Sequence, residues 1–130
     1  MSSSAYPLRI FCLEDNPLII FQLEAMIEDL GHIFAGSAMS FTDLVKRQDL
    51  GSIDGVLVDI DLADGRTGPN AAIWLSQQGI PSIFVTGQEA IAAEYSQAVL
   101  AIIGKPVAEI ELAEKLELFR HTNRNHDPRR

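Results

Sequence analysis

Short apolar runs alternate with helix-patterned stretches along the chain, and most of the runs stop abruptly at a side chain capable of chemistry. The first run, Leu8 to Leu13, halts at Glu14 and Asp15, as a strand buried on both faces does where it emerges at its C-terminal end. Asn16 and Pro17 form a cap and first-turn pair, and Ile19, Leu23, Met26, Ile27 and Leu30 then recur at helical spacing until Gly31. The alternation continues with a short run at Ile33 to Ser37, a helical stretch from Thr42 to Gln48, and a β-branched run from Val56 that ends at Asp59. Ala63 to Pro69 is dense in turn residues, and Asn70 to Gln78 is patterned as a helix. Pro81 to Thr86 reads as a strand, and Gln88 to Ser96 as a small alanine-rich helix. Val99 to Ile103 reads as the last strand, and Lys105 and Pro106 lead into a helix carrying Ile110, Ala113, Leu116 and Phe119. Five strand–helix pairs require a parallel sheet covered on both faces, since each right-handed crossover lays a helix on the sheet.

A chain of 130 residues, 47% of them hydrophobic, holds one buried core rather than two. Its 18 acidic against 10 basic side chains give a net charge of −8, which disfavours direct DNA binding. The segment 121–130 is polar and reads as a solvated tail. The single cysteine, Cys12, lies in an apolar run and is expected to be a small buried hydrophobe. The start has no basic segment followed by an apolar one, and no apolar run approaches the length of a membrane span, so a cytoplasmic location without membrane insertion is expected. His32, His121 and His126 lack metal-ligand spacing, and Trp74 is placed for packing.

In an open parallel sheet, ligands bind beyond the carboxyl ends of the strands. Four of the five predicted strands bring a capable group there: Glu14 with Asp15, Asp59, Thr86, and Lys105. Carboxylates gathered at one edge repel each other unless a cation sits among them. Mg²⁺, with Mn²⁺ as a substitute, suits oxygen donors from Glu14, Asp15, Asp59 and the region of Asp61, whose backbone carbonyl is the ligand required. Asp59 is then a positioned nucleophile for phosphoryl transfer, Lys105 a point charge for a phosphoryl oxygen, and Thr86 a hydroxyl donor to another.

In this order, Glu14 with Asp15, then Asp59, then Thr86 with Gly87, then Lys105 with Pro106, the chain resembles the receiver domain of the bacterial two-component response regulators over about residues 7–120. The resemblance implies a five-stranded, doubly wound, flavodoxin-like fold with strand order 2-1-3-4-5 and a cis bond before Pro106. It also implies a Mg²⁺ cofactor and phosphorylation of Asp59 by a histidine kinase or phosphotransfer protein. A stand-alone, monomeric or weakly dimeric switch signalling to a downstream protein is expected, rather than an enzyme with turnover. Phe84, Val85, Thr86 and Gly87 partly resemble a motif of stand-alone receivers in alphaproteobacterial stress signalling.

Receivers usually carry an aromatic residue three positions before the lysine, and here that position is Ile102. An isoleucine has no ring to swing after Thr86, so output is expected to be atypical. The interval from Thr86 to Lys105 is also short, implying a reduced fourth helix. Asp61 and Gln88 are placed to tune aspartyl-phosphate lifetime. Phe21, with Ala25 and Leu18, points away from the apolar stripe of the first helix. The resemblance makes that helix and Pro106 docking elements for the phosphodonor. Two rivals remain at this level. One is a receiver-shaped adaptor that works without phosphorylation. The other is a small haloacid-dehalogenase-like phosphohydrolase, suggested by Asp59, Ile60 and Asp61 but with its motifs in the wrong order.

Overall fold

The computed structural model describes residues 6–122. Five parallel strands, β1 (Arg9–Leu13), β2 (Ile33–Ala38), β3 (Gly55–Val58), β4 (Ser82–Thr86) and β5 (Ile102–Gly104), form one sheet in the order 2-1-3-4-5. The helices are α1 (Pro17–Asp29), α2 (Phe41–Val45), α3 (Gly68–Gln77), α4 (Glu89–Ala93), α5 (Glu109–Leu116) and α6 (Leu118–Thr122). The expected doubly wound fold is therefore present.

Period-two alternation along the strands sends side chains into two separate cores. Phe11, Leu13, Val56, Val58 and Phe84 pack with Leu44, Ala71, Leu75 and Ala92 of α2, α3 and α4. Ile10, Cys12, Leu57, Ile83, Val85 and Ile103 face the other way, onto Leu23 and Ile27 of α1, Leu112 and Leu116 of α5, and Phe119. Strands buried on both faces are why these runs are continuous rather than alternating in sequence. Burial pushes the Cys12 thiol far up, so it stays protonated as a packing group. No helix among the described residues is long and apolar enough to cross a membrane.

Local signals act as expected at the start of α1, where the Asn16 side chain accepts the Leu18 N–H at 3.0 Å and Pro17 opens the first turn. Trp74 packs edge-on to Phe41 with ring centroids 6.2 Å apart. Four expectations shift. The second helix spans Phe41–Val45 rather than reaching Gln48, because Lys46 already caps it. The last strand begins at Ile102 rather than Val99, since a 3-10 turn at Ser96–Ala98 delivers the chain late to the sheet edge. The final helix breaks after Leu116. Ile110, expected in the core, is 85% exposed. Leu112, Leu116 and Phe119 set the buried stripe, and a residue two positions before Leu112 falls about 200° away from it. The chain remains helical through His121 and Thr122, and residues 123–130 of the expected tail lie outside the described residues.

The β3–α3 connection is fixed by two close contacts. Gly68 packs so tightly on the Asp59 carbonyl that any Cβ would collide with it, and its N–H donates to the Ile60 carbonyl at 2.9 Å. Asp64 clamps the same loop to α2. Its carboxylate accepts the Phe41 and Thr42 N–H groups at 3.2 and 3.1 Å, and the Thr67 hydroxyl at 2.7 Å. These bonds, the Thr67 hydroxyl first, hold its carboxyl down at about 2. A depressed folded-state pKa gives stability that is present above the unfolded value and lost as pH falls toward 2. Asp64→Ala is expected to cost about 1 kcal/mol, the usual scale of a helix-start cap. In urea melts the gap from wild type should be full at pH 7 and close between pH 4 and pH 2.

Candidate functional site

Backbone pairing gathers the strand ends. The Glu14 N–H bonds the Ala38 carbonyl, the Asp59 N–H bonds the Leu13 carbonyl, and the Lys105 N–H bonds the Thr86 carbonyl, each at 3.0 Å. The register that pairs Leu13 with Val58 and Thr86 with Gly104 therefore places Glu14, Asp15, Asp59, Thr86 and Lys105 on one edge. The Lys105–Pro106 bond is cis.

At that edge the Lys105 ammonium lies between two carboxylates, 2.9 Å from Glu14 Oε1 and 2.8 Å from Asp59 Oδ2. Glu14 is 3% exposed and Asp59 9%. The second oxygen of each is held by backbone: Asn16 N–H donates to Glu14 Oε2 at 3.0 Å, and Ile60 N–H to Asp59 Oδ1 at 2.7 Å. Burial raises the Glu14 carboxyl above its usual range, with the nearby Asp59 charge adding to it against the Lys105 hydrogen bond. Burial would lower Lys105, but its hydrogen bonds to Asp59 and Glu14 and their charges outweigh it, and its pKa moves up.

Glu14, Asp15 and Asp59 each offer an oxygen within 4.8 Å of the others, a set able to hold a metal ion. Three hard carboxylate donors fit Mg²⁺ or Mn²⁺. The Asp61 side chain is not part of this set. Its carboxylate instead receives Arg66 Nε at 3.0 Å and the Gln88 amide, and the Arg66 hydrogen bond first of all lowers its pKa. Thr86 is fully buried, and its Oγ1 accepts the Gln88 N–H at 3.0 Å. Ile102 packs against the core beneath α4.

Phe21 is 68% exposed and Leu18 61%, with Ala25 exposed beside them. Next to this face a groove of about 560 Å³ is lined by Ile19, Leu23, Met26, Pro106 and Val107. α1 and the turn after β5 thus form one continuous surface adjoining Lys105. Sequence reasoning missed Arg66. Its two partners, Asp61 and Gln88, are 5 and 22 residues away on different loops, so no local pattern marked it.

A fold of this order with this acidic edge and lysine is that of a receiver-type signalling domain. The response regulator receiver domain model matches residues 10–117, and the chain belongs to that family. It is 42% identical over 80 residues to the phyllosphere-induced regulator PhyR of Methylorubrum extorquens. That match covers 60% of this chain and 30% of the relative, so the chain spans under a third of that protein. The solution structure of the PhyR receiver domain from Erythrobacter litoralis is similar with TM-score 0.76 and 28% identity, over 91% of this chain and 93% of that one. A variant of the anti-anti-sigma factor PhyR from Bartonella quintana aligns with TM-score 0.77 and 25% identity, over 91% of this chain and 51% of that one.

Lys105 is the counter-charge to two buried carboxylates. Lys105→Met is expected to destabilise the metal-free protein by about 3 kcal/mol at pH 7, the low end for breaking a buried pair because the lysine is partly exposed. Glu14 already has a raised pKa, and loss of the ammonium raises it further, so stability falls as pH climbs through that value. Denaturant midpoints should show a smaller deficit at pH 5 than at pH 7.

Proposed function

We propose that this receiver accepts a phosphoryl group on Asp59 from a histidine kinase or histidine phosphotransfer protein, in a Mg²⁺-dependent reaction, and signals by protein contacts. The observation that carries this reading is Lys105 bound to Asp59 and Glu14 beside Asp15. A carboxylate oxygen of Asp59 forms a bond to phosphorus as the bond from phosphorus to the donor imidazole breaks, and the imidazole leaves. The Ile60 N–H orients the carboxylate from behind. Lys105 has a second acid, Glu14, to fall back on, so it keeps a partner while its charge turns to a phosphoryl oxygen. The Thr86 hydroxyl, at the end of the neighbouring strand, donates to another oxygen. Glu14, Asp15 and Asp59, with the Asp61 backbone carbonyl, would hold the divalent ion. Bound there, the ion neutralises the charge that accumulates on the transferring group.

The reaction is self-modification, so the domain acts as a switch rather than a turnover enzyme. Its upstream partner docks on the α1 face through Phe21, Ala25 and Pro106. Exposed apolar side chains on α1, together with a groove between α1 and the turn after β5 that Lys105 also lines, suit a helix-presenting partner. The downstream partner is a protein. The Bartonella relative is an anti-anti-sigma factor, and the net charge of −8 disfavours a DNA target.

Intact-mass measurement after incubation with acetyl phosphate and Mg²⁺ should show one phosphoryl group per chain, none in Asp59→Asn, and none after chelation. No adduct with acetyl phosphate or with any of a panel of kinases would favour the phosphate-independent adaptor. Repeated turnover of a phosphomonoester would favour the hydrolase. For docking, Phe21→Ser should slow phosphotransfer from the cognate donor by about tenfold, as expected for loss of one aromatic anchor, while labelling by acetyl phosphate stays at the wild-type rate. An unchanged rate from the protein donor removes Phe21 from the interface.

A further inference from the structure

Three side chains join the two loops that flank Asp59. Arg66, between β3 and α3, donates through Nε to Asp61 Oδ1 at 3.0 Å and through Nη2 to Gln88 Oε1 at 2.9 Å. The Gln88 amide closes the triangle by donating to Asp61 Oδ2. Every member touches both others, and the planar guanidinium fork of Arg66 serves acceptors on both loops at once through Nε and Nη2.

Gln88 is also the link to the site. Its backbone N–H donates to the Thr86 hydroxyl oxygen at 3.0 Å, and α4 begins at the next residue. Its side chain makes no capping bond to α4, because the amide is committed to Asp61 and Arg66. α4 is only five residues long, so its start depends on where Gln88 is held. Ile102, in contrast, offers no ring to move.

We propose that Arg66 is a positioning residue that closes a polar latch across the β3–α3 and β4–α4 loops in the unphosphorylated domain. The phosphoryl group opens the latch by drawing the Thr86 hydroxyl away from the Gln88 N–H. The signal then leaves through the β4–α4 loop and α4 rather than through position 102. The proposal rests on phosphorylation of Asp59. By linkage, if a phosphoryl group opens the latch, opening the latch by mutation favours the phosphoryl-bound state. The Arg66 and Asp61 side chains are about half exposed, so salt loosens their pairing.

The test uses the full chain with beryllium fluoride and Mg²⁺ as the phosphoryl mimic, followed by hydrogen exchange and titration. In wild type, the mimic should speed exchange across residues 87–93, and its affinity should rise with added NaCl relative to Arg66→Ala. Arg66→Ala should show fast exchange there without the mimic and bind it about fivefold more tightly. Arg66→Lys, which holds one acceptor and not two, should fall between. A residue of merely structural importance would lower affinity for the mimic when removed. Wild type that binds the mimic with residues 87–93 unchanged, or Arg66→Ala with unchanged or weakened affinity, overturns the latch and leaves Asp59 as acceptor. Wild type that does not bind the mimic overturns both readings together.

Discussion

Glu14 and Asp59 leave adjacent strands almost without solvent, and one ammonium, that of Lys105, answers both. Two buried carboxylates with no cation between them would be driven to take up a proton. With the cation they stay in contact distance of one another and define a pocket. The arrangement is stable and also convertible, because the lysine is held by two acids. It therefore has an alternative partner whenever one acid changes its bonding.

The sheet supplies this geometry through its edge order. Placing β1 beside β3 makes Glu14 and Asp15 neighbours of Asp59, and placing β4 between β3 and β5 brings Thr86 and Lys105 to the same rim. Apart from the adjacent Glu14 and Asp15, these residues are far apart in sequence, so the site exists only while the parallel register holds. Gly68 against the Asp59 carbonyl and Asp64 on the start of α2 fix the loop that follows Asp59. Rigid support of this kind suits the proposed transfer chemistry, which is dominated by placement.

Strand ends were legible in the sequence because a strand buried on both faces leaves a continuous apolar run, and a charged side chain marks where it surfaces. Glu14, Asp59 and Lys105 were found by that contrast. The last strand was misplaced because Val99, Leu100 and Ala101 are as apolar as Ile102 and Ile103, and composition does not reveal a preceding 3-10 turn. Ile110 was misplaced for a related reason. In an eight-residue helix two apolar stripes compete, and tertiary packing on Leu112 and Leu116 decides between them. Arg66 was invisible, since charge in a turn-rich loop ordinarily means solvent.

The proposed reception and transmission draw on different parts of the chain. Glu14, Asp59 and Lys105 sit on strand ends, where sheet pairing fixes their backbone. On the two loops above them, the side chains of Asp61, Arg66 and Gln88 bond to one another. Thr86 belongs to both sets: its backbone is fixed within β4, and its hydroxyl touches the loop at Gln88. In the latch proposed above, a change at Asp59 reaches the surface through the Thr86 hydroxyl and Gln88. That proposed route runs along loop side chains and bypasses position 102, where Ile102 stands.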